Sequence, residues 1–241
     1  MLLFDIGNSR CKWVRVQAGH WVHQGVLDND RLQALPALLA RLPVPQRVLV
    51  ANVAGDAVAA RLDECCRTLW QLTPHYLQAS AECCGVRNRY QVPASLGSDR
   101  WAALIAARAQ VDGACLVVNC GTATTVDALS AEGEFLGGLI LPGVSLMLHS
   151  LQGNTAQLSA ASGVLCDYPR QTSDAMWSGA LRATHGAIRH QYEILRRQAG
   201  EVRCLLGGGA ATAVLTELEL PAEHFEHMVL HGVQRWGEQG I

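Results

Sequence analysis

The residues with the clearest chemical potential follow a short apolar run, 2–4, at the start of the chain. A carboxylate, a glycine, two small polar side chains and two cations come close together there: Asp5, Ile6, Gly7, Asn8, Ser9, Arg10, Cys11 and Lys12. A glycine lets a ligand approach the backbone, and such a cluster can hold phosphate beside a metal ion. No GxxxxGK[ST] motif occurs in the chain, so this is not a Walker A loop. The pattern alone is also typical of an ordinary turn.

A second copy of this pattern lies near the middle of the chain. The apolar run 116–118 is followed by Asn119, Gly121 and Thr122, which repeats the order of strand, Asp or Asn, one residue, Gly and hydroxyl side chains. Two halves of this kind predict a duplicated α/β architecture, with the phosphates of a nucleotide clamped between the two turns. A chance match of so short a pattern is the alternative.

A third polar cluster precedes an apolar helix that we predict to end near residue 109. Ser98 is the predicted N-cap after Gly97, and Asp99 in the first turn would complement the helix dipole by a few tenths of a kcal/mol up to about 1 kcal/mol. That structural role explains Asp99 by itself. Together with Arg100 and Tyr90, however, the cluster suits a small anionic hydroxy compound, whose hydroxyl proton would pass to the carboxylate.

Length and composition limit the class of protein. The 241 residues allow one large domain or two, and the repeat favours two lobes, 1–113 and 114–241. Charged residues make up only 17%, below the usual fraction of about 25%, which favours a homo-oligomer with a buried interface. A net charge of -2 without a basic cluster argues against binding to nucleic acid.

Cysteine usage and hydropathy indicate the compartment. The nine cysteines form no CxxC pair, and the start of the chain lacks the basic region of a signal peptide, so we expect reduced thiols. No apolar stretch reaches the roughly 18 residues of a membrane span. These observations predict a cytoplasmic protein with no membrane partner.

The remaining pattern predicts the elements that position these residues. Alternation over 11–17 and 20–26 predicts a three-stranded antiparallel start, followed by a helix over 31–42 interrupted by a proline, a strand over 47–53 and a helix over 56–69. This order differs from the strand, helix, strand start of a GxGxxG dinucleotide fold. A mostly irregular segment over 82–98, a long helix over about 172–198 and a strand ending in the glycines 207–209 are also predicted. Those glycines form either a turn or a flat surface for adenine.

Together these motifs resemble those of the type III pantothenate kinases, also known as Bvg accessory factor-like proteins. The matching stretches are Asp5-x-Gly-Asn-Ser-x-x-Lys12, Gly97-Ser-Asp-Arg-Trp101, Gly121-Thr-Ala-Thr-Thr-Val-Asp127, Gly137-Gly138 with Pro142-Gly143, and Gly207-Gly208. The resemblance spans nearly the whole chain. It implies two ribonuclease-H-like lobes of the actin, hexokinase and Hsp70 (ASKHA) fold, and a homodimer whose interface helps build the substrate pocket.

The resemblance also implies a reaction and the residues that carry it. The γ-phosphoryl group of ATP moves to the terminal hydroxyl of pantothenate, the first step of coenzyme A synthesis, with Mg²⁺ beside the nucleotide. By resemblance, residues 5–12 and Thr122 bind ATP, Asp5 binds magnesium through water, and Asp99 is the general base. The implied pantothenate pocket consists of Tyr90, Gly97, Ser98, Asp99, Arg100 and Thr172.

Two positions depart from the pattern of this family. Ser9 replaces the usual Thr and keeps the hydroxyl group. Asn119 replaces an Asp that helps bind K⁺ or NH₄⁺ in most members, so we expect weak or absent dependence on these ions unless Asp127 points inward and supplies the charge. Two other functions stay open: a non-catalytic regulator that kept the kinase fold, and a kinase or phosphatase of the same fold acting on another small polyol.

Overall fold

The computed structural model describes residues 1–153 and 163–239, and the chain divides into two compact units. The first comprises Met1–Gln110 together with Met228–Ile241, and the second comprises Val111–His227. None of the helices in the described ranges is long and apolar enough to cross a membrane.

The first unit is built on a sheet whose central strand is β1 (Leu2–Ile6). Strand β1 pairs antiparallel with β2 (Arg10–Gln17) and parallel with β4 (Val48–Asn52). Strands β3 (His20–Asp28) and β5 (His75–Tyr76) complete the order β3-β2-β1-β4-β5. The predicted three-stranded antiparallel start is therefore confirmed.

Helices cover both faces of this sheet. One face packs against α2 (Asp56–Trp70) and against a segment made of a 3-10 helix (Asn29–Ala34) and α1 (Leu35–Leu39). The predicted helix over 31–42 is wrong in its extent, because a proline lies in the first turn of α1 and cannot donate a backbone hydrogen bond to the preceding turn. On the other face, α3 (Ser98–Gln110) packs against α7 (Met228–Gly237), which contacts β1 and β4.

The position of helix α7 differs from the expected division of the chain into lobes 1–113 and 114–241. Residues 228–241 were assigned to the second lobe, but α7 lies in the first unit. Gly232 permits its close approach to α3, because a Cβ atom there would lie 1.8 Å from the carbonyl oxygen of Ala102. Arg47 also donates from Nη2 to the carbonyl of Gly237 at 3.0 Å. Such contacts between distant parts of the chain leave no periodic signal.

The segment over 82–98, predicted to be mostly irregular, contains a small hairpin. Strands β6 (Glu82–Cys83) and β7 (Val86–Asn88) pair antiparallel, and a 3-10 turn over Pro93–Ser95 follows before α3. This hairpin leads the chain toward the helix that carries the third polar cluster.

The second unit repeats the strand plan of the first. Strand β8 (Cys115–Cys120) pairs antiparallel with β9 (Ala123–Leu129) and parallel with β11 (Arg203–Gly207). Strands β10 (Glu134–Pro142) and β12 (Ala222–His224) flank them. Within the described residues of this unit, the order β10-β9-β8-β11-β12 matches β3-β2-β1-β4-β5 strand for strand. The match confirms the predicted duplicated α/β architecture.

Helix α5 (Thr172–Ala199) forms the largest part of the core of the second unit, with α4 (Val144–Gly153) and α6 (Ala211–Leu215) beside it. Its buried side chains recur at helical spacing and pack against the sheet residues 116, 118 and 206. They include Leu181, Ile188, Tyr192 and Leu195. Each such aliphatic side chain contributes about 1.5–3 kcal/mol through burial. The predicted long helix is confirmed.

Candidate active site

Asp5 and Lys12 face each other across the first two strands. The register pairs them directly, and Lys12 Nζ lies 3.6 Å from Asp5 Oδ2. The side chain of Asp5 is 12% exposed, and this burial raises its pKa to about 6; Lys12 opposes the rise, whereas the charge of Asp99 adds to it. The two carboxylates are thus close enough to repel each other. A cation beside them would relieve that repulsion.

The turn between β1 and β2 is closed by its own backbone and by Asn29. Gly7 N donates to the carbonyl of Arg10 at 3.0 Å, and Asn29 N donates to the carbonyl of Ser9 at 2.9 Å. The side chain of Asn29 donates from Nδ2 to the carbonyl of Gly7 at 2.8 Å. Asn8 and Ser9 are exposed at the tip. The turn therefore presents its polar groups to solvent on a fixed backbone.

The side chains of the segment 5–12 do not all point to the same side. Ile6 and Cys11 are 1% and 0% exposed and belong to the hydrophobic core, so only their backbone can meet a ligand. Arg10 is exposed, and its Nε lies 3.8 Å from Asp28 Oδ1. The chemistry of this segment accordingly rests on Asp5, Lys12 and the turn between them.

Asp99 lies in the first turn of α3, where its carboxylate is held by the backbone. Its Oδ1 accepts a hydrogen bond from Arg100 N at 2.8 Å. Gly97 leaves room for this oxygen, because a Cβ atom at Gly97 would lie only 2.7 Å from it. Burial raises the pKa of Asp99, although the backbone N–H and the positive charge of Arg100 oppose the rise. A carboxylate with a raised pKa is a better proton acceptor than an ordinary one.

Ser98 is the first residue of α3 and not its N-cap, which corrects the sequence prediction. The first helical hydrogen bond runs from Trp101 N to the carbonyl of Gly97 at 3.0 Å, so Gly97 occupies the N-cap position. Ser98 Oγ donates instead to the carbonyl of Asn52 at 3.1 Å. This bond ties the start of α3 to the end of β4, and it thereby positions the neighbouring Asp99.

Arg100 and Tyr90 form a pair beside Asp99. Arg100 is only 5% exposed, and its Nη1 donates to the phenol oxygen of Tyr90 at 2.9 Å. Tyr90 is held in turn by Asn88, whose Oδ1 accepts Tyr90 N at 3.0 Å while its Nδ2 donates to the carbonyl of Pro93. The structure therefore brings together three residues that the sequence analysis assigned to one pocket.

Three asparagines that the sequence analysis did not select hold these groups in place. Asn29 supports the first turn, Asn88 supports Tyr90, and Asn52 accepts from Ser98. Asn52 ends a buried strand that runs parallel to β1, and its register partner is Ile6. Since parallel strands end at the same edge of a sheet, the end of the run 48–52 was a usable signal, although the acceptor for Ser98 is the backbone carbonyl of Asn52 and not its side chain. The other two residues lie in irregular segments that carry no such signal.

The second turn, between β8 and β9, is closed in the same manner as the first. Gly121 N donates to the carbonyl of Ala123 at 3.0 Å, as Gly7 N donates across the first turn. Gly143 N donates to the carbonyl of Thr122 at 2.9 Å, and a Cβ atom at Gly143 would lie 2.1 Å from the carbonyl oxygen of Gly121. Thr122 itself is exposed.

The glycine run after β11 packs against the end of β8. Gly208 has φ +94°, and a Cβ atom there would lie 2.6 Å from the carbonyl of Cys120 and 2.7 Å from Asn119 Oδ1. Ala210 N donates to the carbonyl of Cys120 at 3.0 Å. The glycines therefore allow the chain after β11 to pack closely against the end of β8.

Asn119 and Asp127 share one face of the second sheet. Asn119 pairs with Thr125 on β9, and Asp127 lies two residues farther along that strand, so the three side chains point to the same side. Asp127 is 1% exposed, and Gly138 opposite it leaves room, because a Cβ atom there would lie 2.0 Å from Asp127 Oδ1. Asp127 therefore points inward, which is the condition for it to supply charge near Asn119.

Thr172 is the first residue of α5 and is exposed. It belongs to the second unit, as do Asn119 and Thr122, whereas Asp5, Asp99 and the Arg100 pair belong to the first. In the parts of the chain that the structure describes, no group of three or more His, Cys, Asp or Glu side chains could hold a metal ion by itself.

Comparison with known proteins decides the family. The family model described as type III pantothenate kinase matches residues 1–194. A type III pantothenate kinase from Aromatoleum aromaticum is 46% identical over 233 residues, a match that covers 97% of this chain and 96% of the relative. This chain belongs to the type III pantothenate kinase family.

Solved structures at low identity share the fold of this type III pantothenate kinase chain. A protein described as a Baf family transcriptional activator from Campylobacter jejuni aligns with a TM-score of 0.62 at 20% identity, covering 99% of this chain and 98% of the other. An inorganic polyphosphate/ATP-glucomannokinase from Arthrobacter sp. strain KM aligns with a TM-score of 0.51 at 13% identity, covering 99% and 98%. At these identities the likeness concerns the fold, which is the expected ASKHA kinase fold.

All candidate residues of this type III pantothenate kinase family member lie inside the matched range 1–194, from Asp5 to Thr172. Of the five stretches that carried the resemblance, four lie inside this range, and Gly207-Gly208 lies beyond it, as does α7.

Proposed function

We propose that this chain transfers the γ-phosphoryl group of ATP to the terminal hydroxyl of pantothenate, forming 4'-phosphopantothenate in the first step of coenzyme A synthesis. Membership of the type III pantothenate kinase family supports this reaction. The observation that carries it is the position of Asp99, a partly buried carboxylate with a raised pKa at the start of α3, beside the Arg100–Tyr90 pair.

Asp99 is the proposed general base. Phosphoryl transfer depends on positioning and charge neutralisation, and the acceptor hydroxyl must lose its proton as the new bond forms. The bond from Arg100 N fixes Oδ1 of Asp99, and Gly97 keeps the space around that oxygen free of a side chain. Because the raised pKa increases the basicity of the carboxylate, the proton of the pantothenate hydroxyl passes to Asp99.

Arg100 and Tyr90 are the proposed anchors for the carboxylate of pantothenate. A guanidinium binds a carboxylate through two parallel hydrogen bonds, and such bonds are strongest where water is excluded. Arg100 is buried and oriented by the phenol of Tyr90. Gly97, Ser98 and Thr172 complete the proposed pocket.

The segment 5–12 and Thr122 are the proposed contacts for the phosphates of ATP. The exposed backbone of the turn after Asp5, the ammonium group of Lys12 and the hydroxyl groups of Ser9 and Thr122 supply donors to phosphate oxygens. The turn that carries Thr122 is closed like the first one, which supports Thr122 as a second phosphate contact.

Asp5 is the proposed carboxylate on the magnesium side. Mg²⁺ retains several waters and binds through one or two carboxylates together with substrate phosphates, so a single, partly buried Asp suits it. Burial and the charge of Asp99 raise the pKa of Asp5, and a cation beside Asp5 would offset both effects. When bound, Mg²⁺ would neutralise the charge that develops on the phosphates.

The monovalent-cation site that the family resemblance implies lacks a negative charge at position 119, since Asn119 is a neutral amide. An amide oxygen can coordinate K⁺ or NH₄⁺, but the Coulombic attraction is lost. We propose weak dependence on these ions, with Asp127 as the residue that can restore it because its buried side chain shares a face with Asn119.

The proposed assembly is a homodimer formed through the second unit. Strand β10 and helix α4 expose apolar side chains, a pattern typical of interaction surfaces: Leu136, Leu139, Ile140, Leu146 and Leu151. Sedimentation velocity tests this proposal with Ile140→Asp, and Val44→Asp is the matched control, because the two side chains are 63% and 64% exposed. A dimer that only Ile140→Asp dissociates supports the proposal, and a monomeric wild type contradicts it.

All nine cysteines are free thiols, which supports a reducing compartment such as the cytoplasm.

A coupled assay of ADP release tests the proposed reaction. The purified chain is supplied with ATP, Mg²⁺ and, in turn, pantothenate and a panel of other small hydroxy acids. We expect turnover with pantothenate far above that with the other acids. Equal turnover across the panel, or turnover that does not depend on an acceptor, would contradict the proposed substrate.

A further inference from the structure

Two adjacent cysteines lie at the tip of the β6–β7 hairpin with their sulfur atoms in contact. Cys83 Sγ lies 3.5 Å from Cys84 Sγ. Cys83 pairs with Val86, so Cys84 and Gly85 form the turn, and their φ angles of +53° and +77° have the sign that a type I′ turn requires. Both cysteines are partly exposed, so a small reagent can reach them.

We propose that Cys83 and Cys84 are a binding site for a trivalent arsenical, chelated by both thiols. Two As–S bonds form and two As–O bonds break, and each thiol proton leaves with a hydroxyl group as water. The arsenic stays trivalent and no electron is transferred. The third substituent of the arsenical, a hydroxyl or an organic group, remains in place.

The distance between the two sulfur atoms fits chelation of one soft atom. With thiolate bonds of about 2.3 Å, as in zinc sites, and an angle of roughly 100° at the central atom, two sulfur atoms lie about 3.5 Å apart. The observed separation is 3.5 Å, so the turn already holds the thiols at the required spacing. A preorganised pair loses little conformational freedom on binding.

The pair suits a trivalent arsenical better than a zinc ion. Structural zinc needs four protein ligands, and the described residues contain no group of three or more His, Cys, Asp or Glu side chains that could hold a metal ion. A trivalent arsenical needs only two thiols, because it keeps its third substituent. Two sulfur atoms are therefore enough to bind a trivalent arsenical but too few to bind a structural zinc ion.

The raised pKa of Cys84 favours the same ligand over oxidation. Burial, together with the bond and charge from Cys83, raises the pKa of the Cys84 thiol to about 12, while Arg235 opposes the rise. Peroxides oxidise the thiolate, so this thiol is a poor peroxide sensor at neutral pH. An arsenical carries its own hydroxyl groups, which take up the thiol protons.

The chain contains an internal control in the second adjacent pair, Cys65 and Cys66. These residues lie in α2, where neighbouring side chains point in different directions. They are also only 6% and 0% exposed. Adjacency in sequence alone therefore predicts two arsenical sites, whereas the structure predicts one.

Native mass spectrometry of the reduced full chain with phenylarsine oxide tests the proposal. We expect one arsenical per wild-type chain, none on Cys83→Ser or Cys84→Ser, and one on Cys65→Ser. An added dithiol such as 2,3-dimercaptopropanol should remove the arsenical, and an equal concentration of a monothiol should not. Retention by Cys83→Ser, or loss in Cys65→Ser, would overturn the assignment.

A second measurement on the wild type removes any dependence on how the variants fold. Native labelling with N-ethylmaleimide is followed by unfolding and trypsin, which separates the two pairs into the peptides 62–67 and 68–87. At an arsenical concentration of about ten times Kd, labelling of 68–87 should fall about tenfold. Unchanged labelling of that peptide would refute the site.

Discussion

Lys12 Nζ lies 3.6 Å from Asp5 Oδ2, directly across β1 and β2, and yet the pKa of Asp5 is raised to about 6. The nearby cation does not offset the cost of burying the carboxylate beside Asp99. Because the pKa of Asp5 is higher in the folded chain than the ordinary 3.8, the contribution of Asp5 to stability is greatest at low pH and is lost as pH rises through about 6. The chain thus keeps an ionised Asp5 at the expense of stability, as expected of a functional carboxylate.

Asp5→Asn should therefore stabilise the protein at pH 8 in the absence of ligands and abolish its magnesium-dependent activity. A pKa that rises from 3.8 to about 6 corresponds to about 3 kcal/mol at high pH, and the gain should vanish near pH 4. Urea unfolding of both proteins from pH 4 to 8 measures it. Asp28→Asn is the control, because Asp28 is an exposed carboxylate that lies near Arg10. Its effect on the free energy of unfolding should not grow as pH rises from 4 to 8. A loss of stability that is equal at every pH would contradict the account of Asp5.

Asp99→Asn should lower kcat by about 100-fold or more with little change in the KM for ATP, since it removes the proton acceptor and leaves the nucleotide site intact. Asp56→Asn is the matched control, because Asp56 also lies in the first turn of a helix and is exposed. Near-normal turnover of Asp99→Asn would show that this carboxylate only complements the helix dipole. In the wild type, the acid limb of kcat/KM for pantothenate should lie above the usual range of an Asp, because burial raises the pKa of Asp99 in the free chain.

Arg100→Ala should raise the KM for pantothenate and leave the KM for ATP unchanged, because it removes a charge-assisted contact to one substrate only. Tyr90→Phe should have a smaller effect in the same direction, since it removes the phenol that orients Arg100. Steady-state kinetics with each substrate varied in turn distinguish the two constants. Arg67→Ala, at an exposed position in α2, is the control. An effect confined to ATP would refute the pocket.

Asn119→Asp should create or strengthen dependence on K⁺ or NH₄⁺, because it restores the charge that the amide lacks. Initial rates are measured with sodium or a bulky organic cation in place of potassium at fixed ionic strength. Replacement of potassium should lower the initial rate only slightly in the wild type and several-fold in Asn119→Asp. If the wild type already loses most of its activity, Asp127→Asn shows whether the inward-facing carboxylate supplies the charge.

The local parts of the fold followed from the sequence because short-range patterns fix them. The alternation in 11–17 and 20–26 predicted β2 and β3, and the apolar spacing over 172–198 predicted α5. The repeat of Asp5-x-Gly in Asn119-x-Gly predicted two matching turns, and the strand orders agree.

The parts that sequence reasoning missed depend on contacts between distant residues. The return of α7 to the first unit rests on the contact of Gly232 with Ala102, and the role of Ser98 rests on its bond to Asn52. The hairpin over 82–88 was missed because its turn residue Cys84 adopts a positive φ, which is uncommon for a residue other than Gly, Asn or Asp. No propensity scale contains such information.

The most direct test of the central claim is the identity of the phosphorylated product. The purified chain is incubated with ATP, Mg²⁺ and pantothenate, and the product is fragmented in a mass spectrometer to locate the phosphate. We expect one phosphate on the terminal hydroxyl of pantothenate for each ADP released, and formation of this product about 100-fold more slowly with Asp99→Asn. ADP release without phosphopantothenate, or a product formed equally fast by Asp99→Asn, would contradict it.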